Sequence, residues 1–168
     1  MNDDVRWLTD EEQRVWREFL SAISMFSEHL ERRLQADAGM PHTYYEVLVA
    51  LSEAPDMTLR MSELATKSRF SRSRLSHAVA KLEAKGWIQR GSCPTDKRGA
   101  LATLTGDGLA VLKRAAPGHV EAVREALFDP LTTQQVEQLG EISRAVNRGL
   151  APICDAAQAE AAGVLSPR

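Results

Sequence analysis

The spacing of apolar residues along the N-terminal quarter of the chain predicts one long amphipathic helix. Thr9 and Glu12 have the spacing of a capping box, in which each side chain accepts a hydrogen bond from the other residue's backbone N–H. Apolar residues then recur every three or four positions as far as Leu34, as one face of a helix requires. Gly39 and Pro41 are typical helix-ending residues, so we expect the helix to end there.

The middle of the chain changes from a long helix to shorter elements. A second helical pattern stops before Pro55, and residues 61–67 have the pattern of a short helix. Ser71 is then the expected N-cap of a further helix that ends near Gly86. Two short strands are predicted on either side of a polar turn, at residues 87–91 and 101–104.

Two further helices are predicted in the C-terminal third. Thr105 is the expected N-cap of a helix that runs to about Phe128, and we expect Pro117 to kink or interrupt it because proline has no amide hydrogen to donate. Thr132 and Gln135 form a second capping box before the last amphipathic helix. The order helix, helix, helix-turn-helix, β-hairpin, helix, helix indicates a mainly α fold with a small β-hairpin wing.

Charge is distributed unevenly along this architecture. The formal net charge of the 168 residues is −2, which by itself argues against a nucleic-acid partner. Between Arg60 and Arg98, however, ten Lys and Arg side chains stand against three acidic ones, whereas the remainder of the chain carries eleven basic and twenty acidic residues. A basic centre that coincides with the helix-turn-helix and the hairpin is typical of a phosphate-binding surface. A solvated basic face without a partner would give the same charge count.

The helix that follows Ser71 has one apolar face and one polar face. Leu75, Val79 and Leu82 fall on one stripe at roughly 100° per residue and are expected in the core. The other side carries small, basic and hydrogen-bonding residues, which permit close approach to base edges in a major groove. The candidate DNA-binding residues on this helix are Arg72, Ser73, Arg74, Ser76, His77 and Lys81. Its first turn is best placed to contact bases, and Arg74 is a candidate for a bidentate base contact. The alternative interpretation is an ordinary surface helix with basic residues.

The turn of the predicted hairpin carries a second candidate DNA contact. Lys97 and Arg98 lie at its tip, where a guanidinium on a narrow β-ribbon can enter the minor groove. Asp96 can orient Arg98 through a charge-assisted hydrogen bond, and Arg90 on the first strand is a further candidate for DNA binding. The alternative interpretation of these residues is a solvated turn with an incidental ion pair.

Several of these motifs occur together in the order and spacing of one protein family. The segment SELATKSRFSRSRLSHAVAKLEAKGWIQRG, followed by PTDKRGALATLTGDG, resembles the winged-helix core of the MarR family of bacterial regulators. The similarity in helix order covers roughly residues 9–150, and the motifs match most closely from Ser62 to Gly108. The family pattern corresponds here to Leu64-Ala65, Ser71 to Ser76, Leu82-Glu83 with Gly86 and Ile88, Asp96 with Arg98, and Leu104-Thr105 with Gly108.

The resemblance implies a homodimer that binds double-stranded DNA as a transcription regulator, with repression as the default. Such a two-fold dimer binds an inverted repeat whose half-sites lie about one helical turn apart. The apolar stripes of the terminal helices agree with a dimer, although an intramolecular bundle would also bury them. The implied domains are an N-terminal dimerisation helix, a winged helix-turn-helix lobe, C-terminal dimerisation helices and a loose tail, at residues 1–37, 41–105, 106–152 and 153–168.

The resemblance also implies an effector site. Family members commonly bind small aromatic or phenolic molecules in a cleft between the dimer helices and the DNA-binding lobe, and this binding weakens their affinity for DNA. The candidate lining residues here are Trp16, Phe19, His42, Tyr44, Tyr45 and His119. The helical spacing of Trp16 and Phe19 is equally typical of core packing, and a lone histidine is more often a structural group.

Other chemistries find little support in the sequence. Cys93, in the wing, is interpreted as a bystander thiol, and no cysteine lies near the start of the first helix as in peroxide-sensing relatives. The four histidines are scattered singly, so we expect neither a metal site nor a cofactor. No GxSxG, HExxH, P-loop or GxGxxG motif occurs, which argues against an enzyme. A helical dimer of the same fold that binds a protein partner instead of DNA is the alternative function.

The N-terminal sequence and the length of uncharged runs bear on where the protein is located. The N-terminus is acidic where a secretory signal is basic, and no apolar stretch follows it. No uncharged run approaches the ~18 residues of a membrane span. We therefore expect a cytoplasmic protein without a membrane partner.

Overall fold

The fold is built from long helices and one small sheet. The computed structural model describes residues 5–93 and 96–161, with side chains described at residues 5–92 and 100–151. The helices are α1 (Asp10–Ala38), α2 (His42–Ser52), α3 (Met61–Ser68), α4 (Arg72–Ala84), α5 (Gly106–Val123) and α6 (Thr133–Ala161). The strands are β1 (Thr58–Arg60), β2 (Ile88–Cys93) and β3 (Asp96–Leu104). The chain divides into two compact units between Arg124 and Glu125. The predicted fold class, mainly α with a small β wing, is confirmed.

Hydrogen bonds at the helix ends confirm the predicted caps. The Thr9 hydroxyl accepts from the Glu12 N–H at 3.2 Å, and the Glu12 carboxylate accepts from the Thr9 N–H at 2.8 Å. Helix α1 ends at Gly39, whose φ of 59° lies in the left-handed region that closes many helices. The second capping box precedes α6, where the Gln135 side-chain oxygen accepts from the Thr132 N–H at 2.9 Å.

The core of the first unit forms where α2, α3, α4 and the sheet meet. The three α4 residues predicted to face inward, Leu75, Val79 and Leu82, are each 0% exposed. Leu34 of α1 and Leu112 of α5 join the same cluster. Burial of each such side chain contributes about 1.5–3 kcal/mol. This burial fixes which face of α4 points outward.

The sheet has three antiparallel strands in the order β1-β3-β2. The predicted hairpin is present as β2 and β3, and both strands are longer than the sequence pattern indicated. The third strand, β1, was not predicted. It pairs with β3 in the register Thr58↔Thr103, and the two threonine hydroxyls lie 2.9 Å apart in a cross-strand hydrogen bond.

Thr105 joins the end of the hairpin to the start of α5. Its hydroxyl accepts from the Gly108 N–H at 3.0 Å and donates to the Gly86 carbonyl at 2.7 Å. Its backbone N–H donates to the Trp87 carbonyl at 3.1 Å. Gly108 packs against that same carbonyl so closely that a Cβ on it would lie 2.1 Å from the Trp87 oxygen. The Leu-Thr-x-x-Gly motif is therefore a structural junction between the wing and α5.

Two expectations about the C-terminal helices differ from the structure: an interruption of α5 at Pro117 and a loose tail from residue 153. A kink at Pro117 stays a prediction. Helix α5 continues through Pro117 to Val123, because residues on both sides of the proline, including Leu112 and Ala122, are buried and hold the helix in place. The irregularity comes later, as a π-helical turn at Arg124–Phe128. Helix α6 extends to Ala161, into the segment predicted as a loose tail. That segment is rich in alanine, which has the highest helix propensity of all residues.

Candidate nucleic-acid interface

The helix-turn-helix is formed by α3, a tight turn and α4. Helix α3 is closed by Arg69, which has a left-handed φ of 55°, and the following Phe70 N–H donates to the Ala65 carbonyl at 3.1 Å. The Ser71 hydroxyl then caps α4 by accepting from the Arg74 N–H at 3.2 Å, as its position in the sequence predicted. These bonds set the direction in which α4 leaves the turn.

The outward face of α4 is polar and exposed. Five of the six candidate residues on this helix share a further property: within the part of the chain whose side chains are described, they make no side-chain hydrogen bond or ion pair. They are Arg72, Ser73, Ser76, His77 and Lys81, and all are exposed. The first turn also leaves backbone N–H groups and the positive end of the helix dipole free, which favours a phosphate nearby. The face thus offers donors without internal partners.

Arg74 differs from the other candidates on α4, although it is also exposed. Its Nη2 donates to the Thr43 hydroxyl of α2 at 2.9 Å. Its guanidinium lies over the ring of Phe70, with the central carbon 4.6 Å from the ring centroid. The side chain is therefore engaged within the lobe, and the predicted base contact stays a prediction.

Arg90 is held by α4. Its Nε and Nη2 lie 2.7 and 2.5 Å from the same carboxylate oxygen, Glu83 Oε2, and its backbone N–H donates to the other carboxylate oxygen at 3.3 Å. The hydrogen bond from Arg90 lowers the pKa of Glu83, because it stabilises the ionised carboxylate. The pair connects α4 to β2. A role for Arg90 in DNA binding also stays a prediction.

The predicted wing contacts lie at the start of β3. The strand begins at Asp96, but the side chains of Asp96, Lys97 and Arg98 lie outside the described residues, as does that of Cys93. Their assignments as wing support, DNA contacts and bystander thiol therefore stand as predictions.

Three of the candidate effector residues meet at one cavity. The ring centroids of Tyr45 and His119 are 4.3 Å apart, and those of His42 and His119 are 5.5 Å apart. The cavity has a volume of about 430 Å³ and is also lined by Lys67 and Arg69 from the end of α3 and its turn. Burial, and then repulsion from His42, lower the pKa of His119, and burial raises the pKa of Tyr45.

The other three candidates lie elsewhere. Trp16 and Phe19 lie on α1 and are 49% and 45% exposed, while Tyr44 packs against the core. Sequence reasoning missed two acidic residues of the cavity wall, Glu46 and Glu53. Glu46 lies on α2 and Glu53 directly follows it, four and eleven positions after His42, so helical periodicity was a usable signal.

Among the described residues, no group of three His, Cys, Asp or Glu side chains is placed to hold a metal ion. Within those residues, no helix combines the length and apolarity needed to cross a membrane.

Comparison with known proteins decides the family. A model of the MarR family matches residues 38–99, from the end of α1 into the hairpin. The crystal structure of Sco3205, a MarR family transcriptional regulator from Streptomyces coelicolor in complex with DNA, is similar with 58% identity and a TM-score of 0.85, over 89% of this chain and 93% of that one. The chain belongs to the MarR family. Members of this family are transcriptional regulators and not enzymes.

Two further MarR relatives agree with this assignment. AbsC, also a MarR family regulator from Streptomyces coelicolor, is 37% identical with a TM-score of 0.78, over 92% of this chain and 99% of AbsC. The HTH-type transcriptional repressor YetL from Bacillus subtilis is 28% identical over 71% of this chain and 74% of its own length.

Proposed function

We propose that this MarR family chain is a sequence-specific DNA-binding repressor that acts as a homodimer on an inverted-repeat operator. The observation that carries the proposal is the outward face of α4, an exposed row of donors without partners among the residues whose side chains are described. The chain is 58% identical to a regulator crystallised with DNA. Repression is proposed because the relative YetL is a repressor.

The proposed complex places the first turns of α4 in the major groove. Arg72 and Lys81 would neutralise phosphates, while Ser73, Ser76 and His77 face base edges. The wing residues Lys97 and Arg98, with Asp96 as support, would reach the adjacent minor groove. Arg90 would reach a phosphate with the guanidinium N–H groups that do not face Glu83.

A homodimer is supported by apolar side chains that the single chain leaves exposed. On α1 these include Trp16, Phe19 and Ile23, each between 45% and 49% exposed. On α6, Ile142 and Leu150 are 58% and 45% exposed. Exposed apolar surface at helical spacing marks an interaction site, and a second copy of the chain is the proposed partner. Two-fold symmetry then requires an inverted repeat with half-sites about one helical turn apart.

The proposed effector is a small aromatic or phenolic molecule bound in the cavity beside His42, Tyr45 and His119. The cavity volume of about 430 Å³ lies in the range of small-molecule sites. Its aromatic rings offer stacking surfaces, and Lys67 and Arg69 offer positive charge to a phenolate or a carboxylate. Occupation of the cavity is proposed to release DNA.

The test is selection from a random pool of double-stranded DNA, followed by sequencing of the bound fraction. An enriched inverted repeat, with two chains per duplex by light scattering, supports the proposal. Binding without any motif would instead indicate a backbone-driven architectural role. If the folded, ligand-free protein retains no DNA, a protein partner becomes the better function. A reporter placed behind the selected operator then distinguishes repression from activation.

A further inference from the structure

Arg74 lies on the flank of α4 that faces α2, beside the exposed donor face. It precedes the buried Leu75 by one position, so its side chain leaves the helix about 100° away from the core direction. There the guanidinium meets two groups of the lobe, the Thr43 hydroxyl at 2.9 Å and the Phe70 ring at 4.6 Å.

We propose that Arg74 is a positioning residue, which ties the first turn of the recognition helix to the N-terminus of α2 and does not contact DNA. The inference rests on the proposed function of α4 as the DNA-reading helix. It changes the assignment of Arg74 from a base contact to an internal support for its neighbours on α4.

Both partners of the Arg74 guanidinium are themselves fixed. Phe70 is 8% exposed, and its backbone N–H is bonded to Ala65 of α3. Thr43 lies in the first turn of α2, next to His42, whose N–H donates to the Glu31 carboxylate of α1 at 2.8 Å. A guanidinium that moved to DNA would lose a hydrogen bond and uncover an aromatic face.

Arg72 lies in the same turn of α4 and provides a comparison for Arg74. It is exposed, carries the same charge, and makes no side-chain hydrogen bond or ion pair among the residues whose side chains are described. It lies two positions before Arg74, so the two side chains leave the helix about 200° apart. Arg72 is therefore the matched comparison for Arg74.

Loss of the support should affect base reading more than phosphate binding. Phosphate contacts tolerate a small tilt of α4, whereas hydrogen bonds to base edges need close alignment. We therefore expect specific affinity to fall while non-specific affinity and its salt dependence are retained.

The experiment measures binding to the selected operator and to a scrambled duplex by fluorescence anisotropy at several salt concentrations. The variants are Arg74→Ala, Thr43→Val, their double mutant and Thr43→Ser, with Arg72→Ala for comparison. Arg74→Ala and Thr43→Val should each weaken operator binding about tenfold, as expected for loss of one charged hydrogen bond. The double mutant should bind the operator no more weakly than Arg74→Ala does. Thr43→Ser, which keeps the hydroxyl, should bind the operator as tightly as wild type.

The salt dependence separates positioning from a phosphate contact, which would lower the slope. Thr43→Val separates positioning from a base contact, which would not need the Thr43 hydroxyl. Arg72→Ala should reduce the slope of log affinity against log salt by about 0.9, the value for one phosphate contact, and Arg74→Ala should leave the slope unchanged. If Thr43→Val binds the operator as tightly as wild type or more tightly, or if Arg74→Ala reduces the slope as Arg72→Ala does, Arg74 contacts DNA and the inference is wrong.

Two further outcomes also count against it. Equal loss on both duplexes together with a lower melting temperature would mean that Arg74 only stabilises the fold. Failure of the wild-type chain to bind any duplex would overturn the proposed function itself, and this result is seen before any variant is made.

Discussion

Replacing Gly108 by alanine should destabilise the fold strongly, although alanine is the better helix former. The added Cβ would lie 2.1 Å from the Trp87 carbonyl oxygen and 2.8 Å from Leu104 Cδ1. The leucine side chain can rotate away. The carbonyl cannot, because it is backbone and accepts the Thr105 N–H at 3.1 Å. Overpacking of this kind costs about 1–3 kcal/mol and the strained hydrogen bond about 1 more, against a helix-propensity gain of up to about 1. We expect a net loss of about 1–3 kcal/mol.

Gly106 provides the control for this substitution. It lies in the same first turn of α5, and a Cβ there would meet nothing within 4 Å. Gly106→Ala should therefore leave stability unchanged or raise it by up to about 1 kcal/mol. Thermal unfolding followed by circular dichroism checks both variants, since a loss of about 1–3 kcal/mol lowers Tm by roughly 2–12 °C in a chain of this size. A Gly108→Ala variant that melts with the wild type would refute the close contact with Trp87.

Three other substitutions test separate features. Gly86 has a φ of 74° and open space around it, so Gly86→Ala should lower the free energy of unfolding by about 1–2 kcal/mol through backbone strain alone. Urea unfolding measures this loss, and unchanged stability would contradict the left-handed conformation. Ser71→Ala should lower the free energy of unfolding by about 1 kcal/mol because it removes the cap of α4. Ser71→Asp should keep the cap but weaken DNA binding, because its negative charge repels phosphate. An Asp variant that binds DNA as tightly as wild type would argue against DNA at this turn. Burial and His42 hold the pKa of His119 below its ordinary 6.5, so the unfolded chain takes up the proton first and stability should fall as the pH drops below that value. His119→Phe should flatten this dependence in melts on either side of pH 6.5, and an identical slope would contradict the burial.

Features decided within a few residues could be predicted from the sequence. The capping box at Thr9 and the cap at Ser71 depend only on hydrogen bonds to residues three positions away, and both are present. The buried stripe of α4, with Leu75 and Leu82, follows from helical periodicity. The same periodicity predicted the outward face of that helix.

Features decided by distant residues could not be predicted in this way. Strand β1 has three residues, and its pairing depends on Thr103, which is 45 positions after Thr58. The partner of Arg74 is 31 positions away at Thr43, so the sequence pattern showed an arginine on a recognition helix but not its engagement. Helix α5 passes through Pro117 because tertiary burial outweighs a local preference.

The effector candidates show the same limit. His42, Tyr45 and His119 were chosen by residue type, and the fold brings them together at one cavity. Trp16 was chosen by the same criterion and lies exposed on α1. Residue type alone therefore did not distinguish a cavity wall from a helix surface.

The pairing of β1 with β3 has a consequence for how the lobe opens. Strand β1 precedes α3, and β3 follows α4, so their ladder closes a loop of chain around both helices of the helix-turn-helix. The β2–β3 hairpin is local and can form early, whereas β1 can dock only after the two helices have packed. Opening of α4 then requires the ladder to break as well, so the amide hydrogens of α4 and β1 should exchange with solvent in one cooperative event.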